Sequence, residues 1–339
     1  MTKHPDAVLR IGMIGAGWVT QHHLAGWRRE AARAQVVAIA DPSIERARDR
    51  AQAFGIASVH ADAAAMFASG HLDAVDIATP RETHADLVRL AAAHGVPALC
   101  QKPLAPTFDQ ARDLVEEVDM VAGMRLMVHE NWRFRPYYRR IAQWLREGRI
   151  GPVLQAQMTL VSSGLIPDAS GALPALARQP FIASLERALV TEILIHHMDT
   201  LRFLLGDMRV IHARTGRGSD AMRGEDHAAI TFDTAQGATV LLLANLRAHG
   251  EPAALIDRLL LVGENGTIRL DADTLVLSGA QSEHLRFDLA ACYADAYAAT
   301  ISHFIDALTS SEPFETSPFD NLKTLRLVED IYTQAGPLH

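Results

Sequence analysis

The chain has 339 residues, 49% of them hydrophobic and 21% charged, and a formal net charge of −8. That length allows two domains with a core in each, and the acidic balance argues against nucleic acid or an anionic membrane as a general partner. Two cysteines without a CxxC argue against a disulfide framework or zinc knuckle, no run approaches about 18 apolar residues, and MTKHPDAVLR lacks a signal-peptide core, so a cytoplasmic protein with a small-molecule ligand is expected.

In chain order, Val8–Ile14 reads as a buried strand, and Gly15-Ala16-Gly17 ends it before a helical run from Trp18 to about Arg29. Strand, glycine turn and helix make a phosphate cradle, because a helix amino terminus offers unpaired N–H groups and a positive dipole end. Gly15 allows the tight turn, Gly17 lets a pyrophosphate approach the backbone, and Trp18 and Val19 open the helix beside it. Thr20 stands where a third glycine is usual. The next strand, Gln35–Ala40, ends in Asp41, roughly 20 residues past the turn, where such folds bind a ribose hydroxyl pair. A carboxylate there repels a 2′-phosphate and favours NAD over NADP. Asp41 is also consistent with a turn that caps the helix beginning near Ser43.

Short strands follow at Ala57–His60, Leu72–Ala78 and Pro97–Cys100, separated by helical patterns at His84–His94 and Thr107–Asp119. Strands alternating with helices predict a doubly wound parallel sheet. Pro103 stops the Pro97–Cys100 strand and leaves Lys102 at its carboxyl end, the edge where open α/β sheets bind ligands. The loops after Thr79-Pro80 and Gln101-Lys102 are expected at that same edge. Arg125–His129 would be the last strand of this kind, and the domains are placed at 1–124 and 125–339.

Beyond this point the pattern changes. A helix carrying Tyr137, Ile141, Trp144 and Leu145 runs to Gly148. Ala228–Asp233 and Ala238–Leu243 flank one hairpin turn, and Leu259–Val262 and Thr267–Leu270 flank another, so an α+β domain with a mostly antiparallel sheet is expected. One sheet face would take helices and leave the other to pair with another subunit. Residues 164–191, rich in Gly, Ala and Pro, read as a long ordered loop.

These residues together resemble the Gfo/Idh/MocA family of sugar and polyol dehydrogenases. Gly15-Ala16-Gly17 with His23 is similar to its GxGxxAxxH opening, and Asp76–Pro80 with His84 to its DVxIATPxxxH segment. Gln101–Ala105 is similar to EKPLA with glutamine for glutamate, Gly148–Gly151 to GxIG, and Glu192–Asp199 to DxGxHxxD with glutamate first. The resemblance implies a Rossmann domain followed by an open-faced sheet domain. It also implies NAD(P)-dependent alcohol oxidation or its reverse, and a dimer or tetramer through the sheet. The cofactor residues it implies are Gly15, Gly17, Trp18, Val19, Asp41, Thr79, Pro80, His84, Gln101 and Lys102.

Alcohol oxidation needs a base beside the cofactor. Carried over from the family, Lys102 would hydrogen-bond the reacting hydroxyl and His196 would take its proton, a task suited to an imidazole near neutrality. Glu192 lies four residues before His196 on one helical face and could orient it or grip a substrate hydroxyl, as could Asp199. A metal site at Glu192, His196 and His197 lacks a distant ligand, so none is expected; His197 has no assigned role. Glu130, Asn131, Arg133 and Arg178 are candidates to hold sugar hydroxyls or a carboxylate, or else are salt-bridge residues. MVHENWRF, with QKP and RQPF, is similar to a branch that oxidises monosaccharides at an anomeric hydroxyl, D-apiose among them. Two other readings are a noncatalytic sensor of dinucleotide or sugar, which would need neither Lys102 nor His196, and an NAD-dependent glycosidase.

Overall fold

Residues 8–337 are described by a computed structural model, and their first part alternates strand and helix. The elements are β1 (Leu9–Ile14), α1 (Thr20–Arg29), β2 (Ala34–Ala40), α2 (Ile44–Phe54), β3 (Ser58–His60), α3 (Ala63–Ala68), β4 (Ala74–Ile77), α4 (His84–Ala93), β5 (Ala98–Gln101), α5 (Phe108–Asp119) and β6 (Leu126–His129). Caps fix the helix starts: the Ser43 hydroxyl accepts from Arg46 N–H, Asp62 from Ala65 N–H and Thr107 from Gln110 N–H. Gly55 closes α2 in the left-handed region. The short α3 is an element the apolar periodicity did not predict.

The six strands form one sheet in the order β3-β2-β1-β4-β5-β6, parallel throughout. The strand order reverses between β1 and β4. At such a switch the connections leave in opposite directions and open a crevice beyond the carboxyl ends. The glycine turn after β1 and the Thr79 loop after β4 lie at that edge, as does Lys102 after β5.

By packing, the chain divides into two units. One runs through Phe134 and takes in Tyr293–Leu322; the other comprises Arg135–Cys292 and the residues from Lys323 on. The packing boundary thus falls at Phe134/Arg135 rather than at 124/125, because β6 is held in the parallel sheet by β5. In the first unit Ile11, Trp27, Leu99 and Met127 pack against Ile301, Phe304 and Ile305, residues distant in sequence that complete the core. Two C-terminal helices, α9 (Leu289–Ser310) and α10 (Pro318–Ala335), supplement the expected elements.

The second unit carries α6 (Pro136–Arg146), β7 (Val153–Val161), α7 (Pro174–Arg178), α8 (Ile195–Leu205), β8 (Met208–Gly216), β9 (His227–Thr234), β10 (Thr239–Asn245), β11 (Arg258–Gly263), β12 (Gly266–Asp271), β13 (Thr274–Gly279) and β14 (Glu283–Arg286). Its eight strands are ordered β14-β13-β12-β11-β7-β10-β9-β8, antiparallel except for β7 beside β10. Both expected hairpins, β9–β10 and β11–β12, are present. Along β10 every second residue is buried, while Leu241 and Leu243 stay 42% and 39% exposed on the other face. The 164–191 stretch is ordered and folds into α7, a 3₁₀ turn at Pro180–Ser184 and the start of a π-helical turn at Leu189–Leu194.

Truncating Phe304 to alanine removes a fully buried ring from the first unit's core and is expected to cost about 3–5 kcal/mol, read by urea unfolding followed by tryptophan fluorescence.

Candidate functional site

In the first unit the site is built around the glycine turn. Gly15 has φ of +104°, and a Cβ on it would lie 2.6 Å from the Ala78 carbonyl oxygen, so only glycine passes between the ends of β1 and β4. At Gly17 a Cβ would meet nothing within 4 Å, which leaves the turn open to a ligand. The start of α1 has no side-chain cap and no acidic residue in its first turn, so its amide groups remain for an anion. Thr20, in place of a third glycine, turns its hydroxyl onto the Gly15 carbonyl and steadies the turn. Trp18 is exposed and meets the His22 ring edge-on, while Val19 packs against the core below.

Asp41 ties this turn to the end of β2. Its Oδ2 accepts the Ala16 N–H at 2.7 Å, and its Oδ1 accepts the Ser43 N–H at 2.8 Å and the Arg46 guanidinium at 3.1 Å. A carboxylate has about four acceptor sites, which leaves capacity for a ribose hydroxyl. The cap reading and the ribose reading of Asp41 are therefore compatible. An open glycine turn, an uncapped helix end and an anchored carboxylate fit a dinucleotide.

Lys102 is partly exposed just past β5, and its backbone is held on both sides. Its N–H donates to the Gln101 side-chain oxygen at 2.7 Å. On the other side the buried His84 ring has Nδ1 2.9 Å from the Pro103 carbonyl and Nε2 2.9 Å from the Thr79 carbonyl. Burial pushes the His84 pKa down against the pull of these carbonyls, so at pH 7 the neutral ring donates to one carbonyl and packs against the other, holding the two loops together. His84, expected to touch the cofactor, is 1% exposed and acts on the loops instead. Thr79 is partly exposed and Pro80 exposed, so both remain placed for a ligand.

In the second unit Glu192 and His196 lie where a π-helical turn runs into α8. From Leu189 to Thr200 they are the only residues that are not buried. The turn is pinned at its start by the buried Glu225 carboxylate, which accepts the Ala188 and Val190 N–H groups and the Tyr332 hydroxyl. It is pinned again by His197, whose Nδ1 is 3.1 Å from the Ile193 carbonyl and whose Nε2 is 2.9 Å from Asp257 Oδ1. Asp257 also accepts the Arg135 guanidinium and the Tyr137 and Tyr138 hydroxyls. Burial opposes its charge, but Arg135 and His197 outweigh burial and hold its carboxyl well below the usual carboxylate range. His197 is thus a positioning group for the turn that bears Glu192 and His196. Glu225 and Asp257 left no signal in the sequence, being acidic residues in loops with no motif around them.

Four expected substrate residues are buried. Glu130, Asn131 and Arg133 are 0%, 3% and 3% exposed. Arg133 pairs with Asp320 at 2.8 Å and donates to the Glu315 carbonyl, so it is a salt-bridge residue of the first unit. Asp199 is 1% exposed and does not share the open face of Glu192 and His196. Arg178 remains exposed and lines a cavity of about 220 Å³ in the second unit with Ser162, Met222 and Ile193, the neighbour of Glu192. Among the described residues no group of three or more His, Cys, Asp or Glu is arranged to hold a metal ion.

Residues 9–129 match the Gfo/Idh/MocA oxidoreductase family, NAD-binding Rossmann fold, and residues 138–269 match the GFO/IDH/MocA C-terminal domain. A D-apiose dehydrogenase of Paraburkholderia graminis is 36% identical over 335 residues, covering 95% of this chain and 86% of that one. The D-apiose dehydrogenase of Rhizobium rhizogenes is 33% identical, covering 97% and 95%. Among solved structures, an oxidoreductase from Agrobacterium radiobacter in complex with NAD+, L-tartaric acid and magnesium superposes with a TM-score of 0.89 at 31% identity, covering 97% of this chain and 96% of that one.

Gly15→Ala is expected to cost about 2 kcal/mol or more, from positive φ and the clash with Ala78, and to weaken NAD binding at least ~10-fold, measured by urea unfolding and calorimetry. Asp257→Asn removes the charge that Arg135 and His197 face and is expected to cost about 3 kcal/mol at pH 7. Because the folded Asp257 pKa lies below that of the unfolded chain, about 3.9, its contribution is complete above roughly pH 4 and is lost as pH falls toward the folded value. Urea midpoints at pH 7 and pH 3.5 should therefore differ less in the variant than in the native chain.

Proposed function

The chain belongs to the Gfo/Idh/MocA family of oxidoreductases and is an NAD-dependent sugar or polyol dehydrogenase, and we propose that it oxidises a monosaccharide at its anomeric hydroxyl, D-apiose first among the candidates. The observation that carries this reading is that Lys102 and His196, the pair that alcohol oxidation needs and a sensor does not, are each partly exposed on backbone held by hydrogen-bonded polar side chains. Whole-chain similarity to two D-apiose dehydrogenases supports the choice of sugar.

When bound, NAD supplies the hydride acceptor. In this proposal Lys102 donates a hydrogen bond to the reacting hydroxyl oxygen and stabilises the negative charge that builds on it. His196 takes the hydroxyl proton as general base, and Glu192, beside it on the open face, orients the ring or holds a neighbouring sugar hydroxyl. Gly15, Gly17 and the start of α1 hold the pyrophosphate, and Asp41 holds the adenosine ribose. Arg178 is retained as a substrate residue because it is exposed on the cavity that Ile193 also lines. Oxidation at an anomeric carbon gives a lactone.

We place the enzyme in the cytoplasm; its two cysteines are buried and unpaired, and among the described residues no helix is long and apolar enough to cross a membrane. The exposed leucines on the free face of the eight-stranded sheet support a homodimer or homotetramer through that face.

A panel of aldoses, inositols and sugar acids assayed at 340 nm with NAD and with NADP tests the substrate reading. D-apiose with NAD should give the highest kcat/KM, and preference for an inositol or for NADP would overturn the choice of sugar or the role of Asp41. His196→Ala and Lys102→Ala should each lower kcat ~10²–10⁴-fold, with NAD affinity in His196→Ala within about threefold of the native value.

A further inference from the structure

We propose that Gln101 and His23 are positioning residues for Lys102, links in a one-directional hydrogen-bond chain from the buried Asp76 carboxylate to the Lys102 N–H that runs only with the His23 ring proton on Nδ1. The proposal rests on the catalytic reading of Lys102.

The direction of the chain follows from its two ends. At one end the Lys102 N–H is a donor, and the Gln101 side-chain oxygen lies 2.7 Å from it. That assigns the amide: its other end is the NH₂ group, which lies 3.0 Å from His23 Nε2. An NH₂ group only donates, so Nε2 accepts and carries no proton. The proton of the neutral ring is then on Nδ1, 2.9 Å from Asp76 Oδ2 and 3.1 Å from Oδ1. Asp76 also accepts the Trp27 indole N–H at 2.7 Å. Every donor in the chain meets an acceptor. Flipping the amide would set its NH₂ group against the Lys102 N–H, and moving the ring proton would set two donors together at Nε2. Either leaves polar groups at the buried end of β5 unmatched.

His23 and Asp76 are both fully buried, and the groups facing the ring come from four elements. Asp76 comes from β4 and Gln101 from β5. From β6 the His129 ring lies 4.1 Å away between centroids, and from α9 the Tyr297 ring lies at 5.4 Å. Within α1, Trp27 shares the Asp76 carboxylate, and burial lowers the pKa of the neighbouring His22. The chain thus spans α1, β4 and β5 and ends on the peptide that sets the direction of the Lys102 side chain.

The glutamine has a consequence for pH. A carboxylate at position 101 could still accept the Lys102 N–H, but it would turn lone pairs toward the bare Nε2 of His23. Restoring that contact requires one added proton, on the carboxyl or on the ring. Gln101 adds no ionisable group to the seat of Lys102, and Gln101→Glu adds one.

The test pairs kinetics with ring chemistry. Relative to the native enzyme, Gln101→Glu is expected to lower kcat at least ~10-fold at pH 9 and less than ~3-fold at pH 6, because the contact between a carboxylate and the bare Nε2 is restored only where an added proton lies between them. Gln101→Leu should lower kcat about 10-fold at both pH values, with KM for NAD within about threefold of native. Equal kcat in all three proteins across this range, or a parallel loss in Gln101→Glu at both pH values, would overturn the proposal. Nitrogen-15 spectra of the native protein, with His23 assigned through His23→Gln, should show a protonated Nδ1 and a bare Nε2. A proton on Nε2 sinks the chain. That spectrum needs no turnover, so it decides the chain even in a protein that oxidises no sugar.

Discussion

A carboxylate buried inside a parallel sheet has to be answered by donors, and much of the first unit follows from how Asp76 is answered. An isolated buried charge costs several kcal/mol. Asp76 receives His23 and Trp27, four residues apart on one face of α1. Those bonds fix the rotation of α1 on the sheet and so the direction of its uncapped amino terminus. The glycine turn that leads into it must then pass over the Ala78 carbonyl, which a side chain at Gly15 would block. The geometry of a dinucleotide cradle is thus partly a consequence of satisfying one buried charge.

The second unit solves a similar problem with different residues. Glu225 and Asp257 are buried carboxylates, and each takes up donors around the turn at Leu189–Leu194. A π-helical turn is less favourable than an α-helical one and persists where surrounding contacts over-determine it. Here it is held at both ends, and the result is a helix start on which Glu192 and His196 are open while their neighbours are buried. In both units the groups proposed for chemistry are partly exposed, and the groups that hold them are hydrogen-bonded and, apart from the half-buried Gln101, buried.

Asp41 shows how one residue supports two readings that seemed to compete. As a turn residue it binds the Ser43 N–H beside the start of α2, and as an anchor it binds the Ala16 N–H of the glycine turn. The Arg46 guanidinium sits on the same oxygen as Ser43. The carboxylate is therefore held in place before any ribose arrives, which lowers the ordering cost of binding.

The sequence by itself determined the architecture and the candidates on open backbone. Strand and helix periods are local, so the alternation through β6 and both later hairpins were legible, as were Gly15, Gly17, Asp41, Lys102, Glu192 and His196. Only the tertiary structure decided which polar residues are buried and with whom. His23 meets Asp76 and Gln101 because α1, β4 and β5 are neighbours in the sheet packing, and Arg133 meets Asp320 because a distant segment joins the first unit. His84 lies buried against the Pro103 carbonyl, and Glu130, Asn131 and Asp199 are buried, for the same reason. A polar side chain has the same identity in the sequence whether it faces a ligand or a carbonyl in the core. Its partner is set by chain segments brought together over long separations, which no local spacing encodes.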